Sequence, residues 1–311
     1  MTDTENNNHL KFYDLNLVRH IFGEVDAGFF DIAQPILREL GAQPVHYRFM
    51  DPEEYKELFE RKPTEANAVY VTELLYRAHL AAAASLLRSF RWIEGLLIAY
   101  KSRLFLPYCA SARGFTEAVA DAAYSLHGIY YDFARLSRHF ERALLHTSES
   151  FVMSTELEAK LVHFTEAGRL EKRERMQLDA LSLKWRKAEE VKTYFTHAFE
   201  GASPGGFYEF YQLLCEFVHP AARSVKIMLE PKGGKLRLMA NRDHEALDAL
   251  VLGNVERMGA MLRIQVIFTQ VMMAVLNRFP LKTLHTRAID ESALIGYHAW
   301  GRCLDAYSGP E

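Results

Sequence analysis

No two cysteines of this chain stand close enough to make a CxxC pair. The three, Cys109, Cys215 and Cys303, are far apart, and three is an odd number. A Cys-rich zinc site is thereby excluded, and a reduced, cytoplasmic compartment suits this usage best. Charge of one sign is also scarce. The net charge is −3 over 311 residues, so the chain as a whole is not drawn to nucleic acid or to an anionic membrane. Long apolar runs are missing too. The best candidate, Ile264–Leu276, is too short to span and carries Gln265 and Gln270, so it reads as a buried core helix and no membrane association is expected. The N-terminal MTDTENNNHLKF is polar and acidic, without the apolar stretch of a signal peptide. GxSxG, the P-loop, GxGxxG after a strand, HExxH and an HD pair are all absent, which argues against the usual hydrolase, nucleotide and zincin sites. No cofactor is implied.

Helical periodicity fills what remains. Residues 1–9 read as a disordered tail, and 10–311 as a single helical domain, with 10–62 as an N-terminal subdomain within it. A helix is expected from about Phe12 to Leu40, ended by Gly41. DPEEYKELFERK is a short helix that Asp51 caps, with Pro52 at its first position and acids in its first turn. A long helix should run from Thr64 to about Phe105, where Pro107 kinks or ends it. The strongest seam follows. Phe115, Val119, Ala122, Leu126, Ile129, Phe133, Leu136 and Phe140 step by four and three, predicting one helix packed along its whole length. Two helices at about 151–167 and 170–200 precede the linker GASPGG at Gly201–Gly206.

After His219 the period changes to two. Val225, Ile227 and Leu229 alternate with Lys226, Met228 and Glu230, PKGG follows, and Lys235, Arg237 and Met239 alternate with Leu236, Leu238 and Ala240. This predicts a β-hairpin near 225–240, with Lys226, Lys235 and Arg237 on one basic face. Asn241 should cap a long helix that reaches Phe279, and a last helix covers Asp290–Tyr307. The fold class is all-α: a bundle of long antiparallel helices with one small inserted hairpin.

Three features carry polar chemistry. Glu216-Phe-Val-His219 has the ExxH spacing of a di-iron helix, but the required second ExxH is missing, so no metal site is assigned. The basic run GRLEKRER at Gly168–Arg175 could meet phosphates, yet no aromatic residues interleave with it, and a solvated face suits it better. The third is a pair of helix faces. Opposite the seam run Arg113, Glu117, Tyr124, Tyr131 and Arg138, and opposite the apolar stripe of the 207–219 helix lie Gln212, Glu216 and His219. If the faces meet, Arg113, Glu117, Glu216 and His219 form one buried polar network, with Tyr124, Tyr131, Gln212 and Arg138 as binding residues beside it. Pro220 places His219 at the end of its helix, where a hydrogen-bonded, partly buried, structural role is expected.

The segments ARGFTEAVAD (Ala112–Asp121) and YQLLCEFVHPAA (Tyr211–Ala222) together resemble uncharacterised bacterial all-helical families of the HEPN-like kind. The resemblance implies a helical fold and candidate catalytic residues His219, Arg113 and Glu117. In HEPN-type ribonucleases an arginine stands a few residues before the catalytic histidine. Here Gln212, Leu213 and Leu214 occupy those positions, so Arg113 would have to supply the cation from another helix. The leading expectation is a cytoplasmic HEPN-like protein whose groove is structural or binds a protein partner. One alternative is an RNA-cleaving toxin or defence enzyme using His219. The other is a helical scaffold acting through homo-oligomerisation.

Overall fold

The computed structural model describes residues 14–42, 44–147, 154–166, 191–198, 204–220 and 222–308. The tail at 1–9, the basic run at 168–175 and most of the helix expected over 170–200 lie outside the described residues. The class is all-α with one small inserted hairpin.

The elements up to the first long helices are α1 (Leu15–Phe22), α2 (Gly28–Ala42), α3 (Pro52–Arg61), α4 (Pro63–Lys101) and α5 (Phe105–Leu126). The helix expected over Phe12–Leu40 is therefore two helices. Gly23 ends α1 with φ 83, a conformation in which only a residue without Cβ is unstrained. α3 forms as its cap predicts. The Asp51 side chain accepts from Glu53 N at 2.9 Å, and Pro52 opens the helix. No α3 side chain is buried, so tertiary packing contributes little and the cap matters more. Asp51→Ala should cost about 1 kcal/mol of local helix stability. Amide exchange across Pro52–Arg61 should speed up accordingly, and unchanged exchange would show that the cap is dispensable.

α4 stops at Lys101 because Arg103 turns to φ 57, and α5 begins at once. Pro107 therefore sits in the first turn of α5, where its missing N–H costs nothing. The long seam is buried as expected except at Leu136, which is half-buried; Phe115, Val119, Leu126, Ile129, Phe133 and Phe140 are each 0% exposed. Its helix is not continuous. It divides into α5, α6 (Ile129–Arg135) and α7 (Ser137–Leu144), with Gly128 at φ 84 between the first two. α8 (Thr155–Glu166) and α9 (Val191–Ala198) precede α10 (Pro204–Val218) and the short α11 (Ala222–Lys226).

The hairpin is β1 (Leu229–Lys232) paired antiparallel with β2 (Lys235–Leu238), in the register Leu229 to Leu238 and Lys232 to Lys235. Gly233 and Gly234 turn it with φ 58 and 74, the two positive angles of a two-residue primed turn. It is shorter than expected because α11 takes Val225 and Lys226. Lys226 thus leaves the predicted basic face, which consists of Lys232, Lys235 and Arg237 around Glu230. On the other face Leu236 and Leu238 are 70% and 71% exposed.

The remaining helices are α12 (Asp243–Leu252), α13 (Val255–Leu276) and α14 (His298–Ser308). Asn241 does not cap α12. Arg242 stands at the N-cap without a side-chain bond to the helix N–H groups, and its guanidinium donates to Leu229 O at 2.7 Å. The helix expected over Asp290–Tyr307 begins later, at His298, after a 3₁₀ turn at Glu291–Leu294. Among the described residues α13 is the one helix long and apolar enough to cross a membrane, and 72% of its most apolar window is buried within the fold.

Contacts divide the chain into two compact units. The first comprises residues 1–34, 85–124 and 191–266, the second residues 35–84, 125–190 and 267–311. In the first, Phe22 meets Phe115 edge-on at 6.0 Å and Phe30 meets Phe90 at 5.2 Å. Buried Gln265 is satisfied there by Ser85 and Ser89, at 3.2 and 3.1 Å. In the second, Phe133, Phe140 and Phe279 form a mutually touching triad, and α6 packs on α14.

Candidate functional site

In the first unit α5 and α10 lie side by side, and Arg113 bridges them. Its Nε donates to Glu117 Oε1, one turn along α5, at 3.0 Å. Its Nη1 donates to His219 Nε2 at 3.0 Å. A guanidinium has only donors, so Nε2 must present its lone pair and the ring proton sits on Nδ1. The guanidinium also lies 5.8 Å from the centre of the Tyr211 ring. Burial is the largest single influence on Arg113 and opposes its charge, but Glu117, Cys215 and Tyr211 together outweigh it, and the guanidinium pKa is raised.

α10 contributes Tyr211, Cys215 and His219, spaced by four and so stacked along one face. The Tyr211 hydroxyl lies beside Cys215 and the Glu117 carboxylate. Burial first, then Cys215 and the charge of Glu117, push its pKa well up, so it stays a neutral phenol. The result is a graded site. Tyr211, Cys215 and Glu117 support the guanidinium from the partly buried side, and the guanidinium holds an imidazole at the surface.

His219 is exposed, against the partly buried position expected for it. Its N–H still bonds Cys215 O at 2.9 Å, closing the last turn, and Pro220 ends the helix immediately after. The ring therefore leaves the helix where no further turn can cover it.

The structure brings Arg113, Glu117 and His219 together and leaves the other expected residues elsewhere. Glu216 is half-exposed and accepts from Arg223 at 2.7 Å instead of joining Arg113. Gln212 is exposed. Tyr124 lies edge-on to Tyr194 at 5.1 Å. Tyr131 and Arg138 belong to the second unit, on α6 and α7; Tyr131 lies beneath Arg302 at 4.6 Å, and Arg138 is exposed. The polar face opposite the apolar stripe of α10 does not include Tyr211 and Cys215. They follow Phe210 and Leu214 by one residue, about 100° around, and that flank is the one that meets α5. The signal available was their four-residue spacing to His219.

Among the described residues no three His, Cys, Asp or Glu side chains converge as metal ligands. A larger cavity of about 1040 Å³ lies in the second unit, lined in part by Arg48, Glu65, Glu73 and His146. Its two carboxylates are already engaged, Glu65 by Lys62 at 2.8 Å and Glu73 by Met50 N at 2.6 Å. Comparison of the chain with protein-family models, with curated proteins and with solved structures finds no match.

Proposed function

We propose that this chain is a cytoplasmic HEPN-like protein that binds RNA at the Arg113–His219 pair and cleaves it, with His219 as the general base. The observation that carries this reading is the 3.0 Å contact between a supported guanidinium and an exposed imidazole. Arg113 brings to His219, from another helix, a cation that the helix of His219 itself lacks at Gln212, Leu213 and Leu214. An incoming phosphodiester offers the guanidinium a better acceptor than neutral imidazole, since a bond between two charged partners is the stronger one. Arg113 then turns to the phosphate and the Nε2 lone pair is freed. His219 takes the proton of the ribose 2′-hydroxyl, the 2′-oxygen forms a bond to phosphorus, and the bond from phosphorus to the 5′-oxygen breaks. The leaving oxygen is protonated from solvent, and the imidazolium returns its proton to solvent. Arg113 stabilises the charge that develops on the phosphoryl oxygens.

The test is to incubate the purified full chain with a single-stranded RNA oligonucleotide and its DNA counterpart in the presence of a chelator. Products ending in a 2′,3′-cyclic phosphate and a 5′-hydroxyl are expected from RNA, and none from DNA. Intact RNA, or cleavage equal to that of His219→Ala purified in the same way, overturns the proposal.

A second reading, an interaction protein that binds a partner protein or a further copy of itself, is favoured by the exposed Leu236 and Leu238 on the apolar face of the hairpin.

A further inference from the structure

The second unit holds a cavity of about 320 Å³, separate in sequence and composition from the Arg113 pair. Its wall includes Glu39, His79, Lys282, Thr283, His285 and Arg287. His79, on α4, is 1% exposed. Its Nδ1 lies 2.7 Å from the Tyr47 hydroxyl. Burial pushes that phenol up to about 12, so it keeps its proton, and Nδ1 is its one hydrogen-bond partner among the described residues. With the hydroxyl as the donor to Nδ1, the ring, which burial keeps neutral by pushing its pKa down to about 4, carries its single proton on Nε2. Nε2 has no partner among the described residues, yet it is not one of the sealed polar atoms left unbonded. It opens on the cavity that the ring lines, as an N–H donor without an acceptor.

The rest of the wall is firmly built. Asn277 clamps Thr286 from both sides, donating to Thr286 O at 2.9 Å and accepting from Thr286 N at 2.8 Å. His285 Nε2 donates to Phe279 O at 2.9 Å. Glu39, the carboxylate of the wall, has both oxygens engaged by backbone N–H groups, from Arg287 at 2.8 Å and from Ala288 at 2.7 Å. Its role is to anchor the loop that carries the cations. Lys282 and Arg287 make no ion pair among the described residues. A fixed neutral donor, two uncommitted cations and a carboxylate already used by the backbone form a set that lacks an acceptor.

We propose that this cavity binds a phosphate group, free or carried on a small metabolite, through the Nε2–H of His79 and the charges of Lys282 and Arg287. The space accommodates a phosphate with a short organic substituent and falls at the lower end of small-molecule pockets. The neutral donor gives direction, and the two cations give affinity that weakens with salt.

Isothermal titration of the full chain with inorganic phosphate, and separately with glycerol phosphate, tests this at low ionic strength. One binding event is expected, tighter for glycerol phosphate if the physiological ligand is an ester and equal for both if it is free phosphate. The double variant Lys282→Ala/Arg287→Ala should weaken binding at least tenfold at an unchanged melting temperature, because both side chains are exposed. His219→Ala should leave binding intact. Absence of heat with both probes at millimolar concentration overturns the proposal. So does a double variant that binds like the wild type, or loss of binding in His219→Ala, which would assign the phosphate to the Arg113 pair.

Discussion

Replacing His219 by alanine should lower RNA cleavage by about 10²- to 10⁴-fold, the usual contribution of a positioned general base. The same change should move stability by no more than about 0.5 kcal/mol, as for surface positions away from special features. The asymmetry follows from where the ring sits. His219 is exposed, and among the described residues the bond its side chain makes is the one from Arg113. When the ring is removed, Arg113 keeps Glu117 at 3.0 Å and its place over Tyr211. Water can take the donor that His219 leaves, so no buried group is orphaned. Arg113→Ala should behave differently. It removes the cation that Glu117 and Tyr211 are built around, so cleavage and stability should both fall. Arg113→Lys keeps a charge for Glu117 but loses the fork that reaches two acceptors at once, and it should recover stability more fully than rate. Initial rates on one RNA substrate, set beside thermal unfolding of each variant, separate these cases. If His219→Ala loses several degrees of melting temperature while RNA is still cut, the histidine is structural and the reading as an RNA-cleaving site is wrong.

That histidine also shows how far the sequence could be read. Its position at a helix end was legible, because Pro220 has no N–H to continue the ladder and disfavours helical geometry in the residue before it. Its exposure was not legible, since one helix cannot show what covers its last turn. The facing of Arg113 and His219 could be posed from two polar stripes. Which flank of α10 met α5 depended on packing, and the choice of the opposite face brought in Glu216 and left out Tyr211 and Cys215. The same limit explains the helix breaks. The seam from Phe115 to Phe140 keeps its three- and four-residue steps across Gly128, so periodicity alone gave no sign that α5 ends at Leu126. Gly128 reverses the backbone at φ 84 and the chain resumes in α6 with Ile129 again in the core. Local chemistry was the more faithful guide where it decided the outcome by itself: Asp51 and Pro52 opened α3, and paired glycines turned the hairpin.

Gly259→Ala should destabilise the fold by about 3 kcal/mol, within the upper range for forcing atoms into packed space. In an open helix the same change would have the opposite sign, since alanine is favoured over glycine by roughly 1 kcal/mol in a helix interior. Gly259 lies in α13, and a Cβ there would run into the carbonyl oxygen of Phe22 and lie 2.8 Å from the Cβ of Asp26. Neither neighbour can yield alone. The Phe22 carbonyl belongs to the last turn of α1, whose ring is fixed against Phe115 at 6.0 Å. Asp26 is held by Arg263, which donates to it at 3.0 Å from the next turn of α13. Relief therefore requires the turn between α1 and α2 to lift from α13, loosening both contacts together. Gly301 supplies the control. It is exposed in the interior of α14, and nothing lies within 4 Å of the Cβ it would gain. Gly301→Ala should accordingly stabilise the protein by about 0.5–1 kcal/mol. Denaturant midpoints of the two variants should move in opposite directions from the wild type. An upward shift for Gly259→Ala would mean that α1 does not pack against α13 at this glycine.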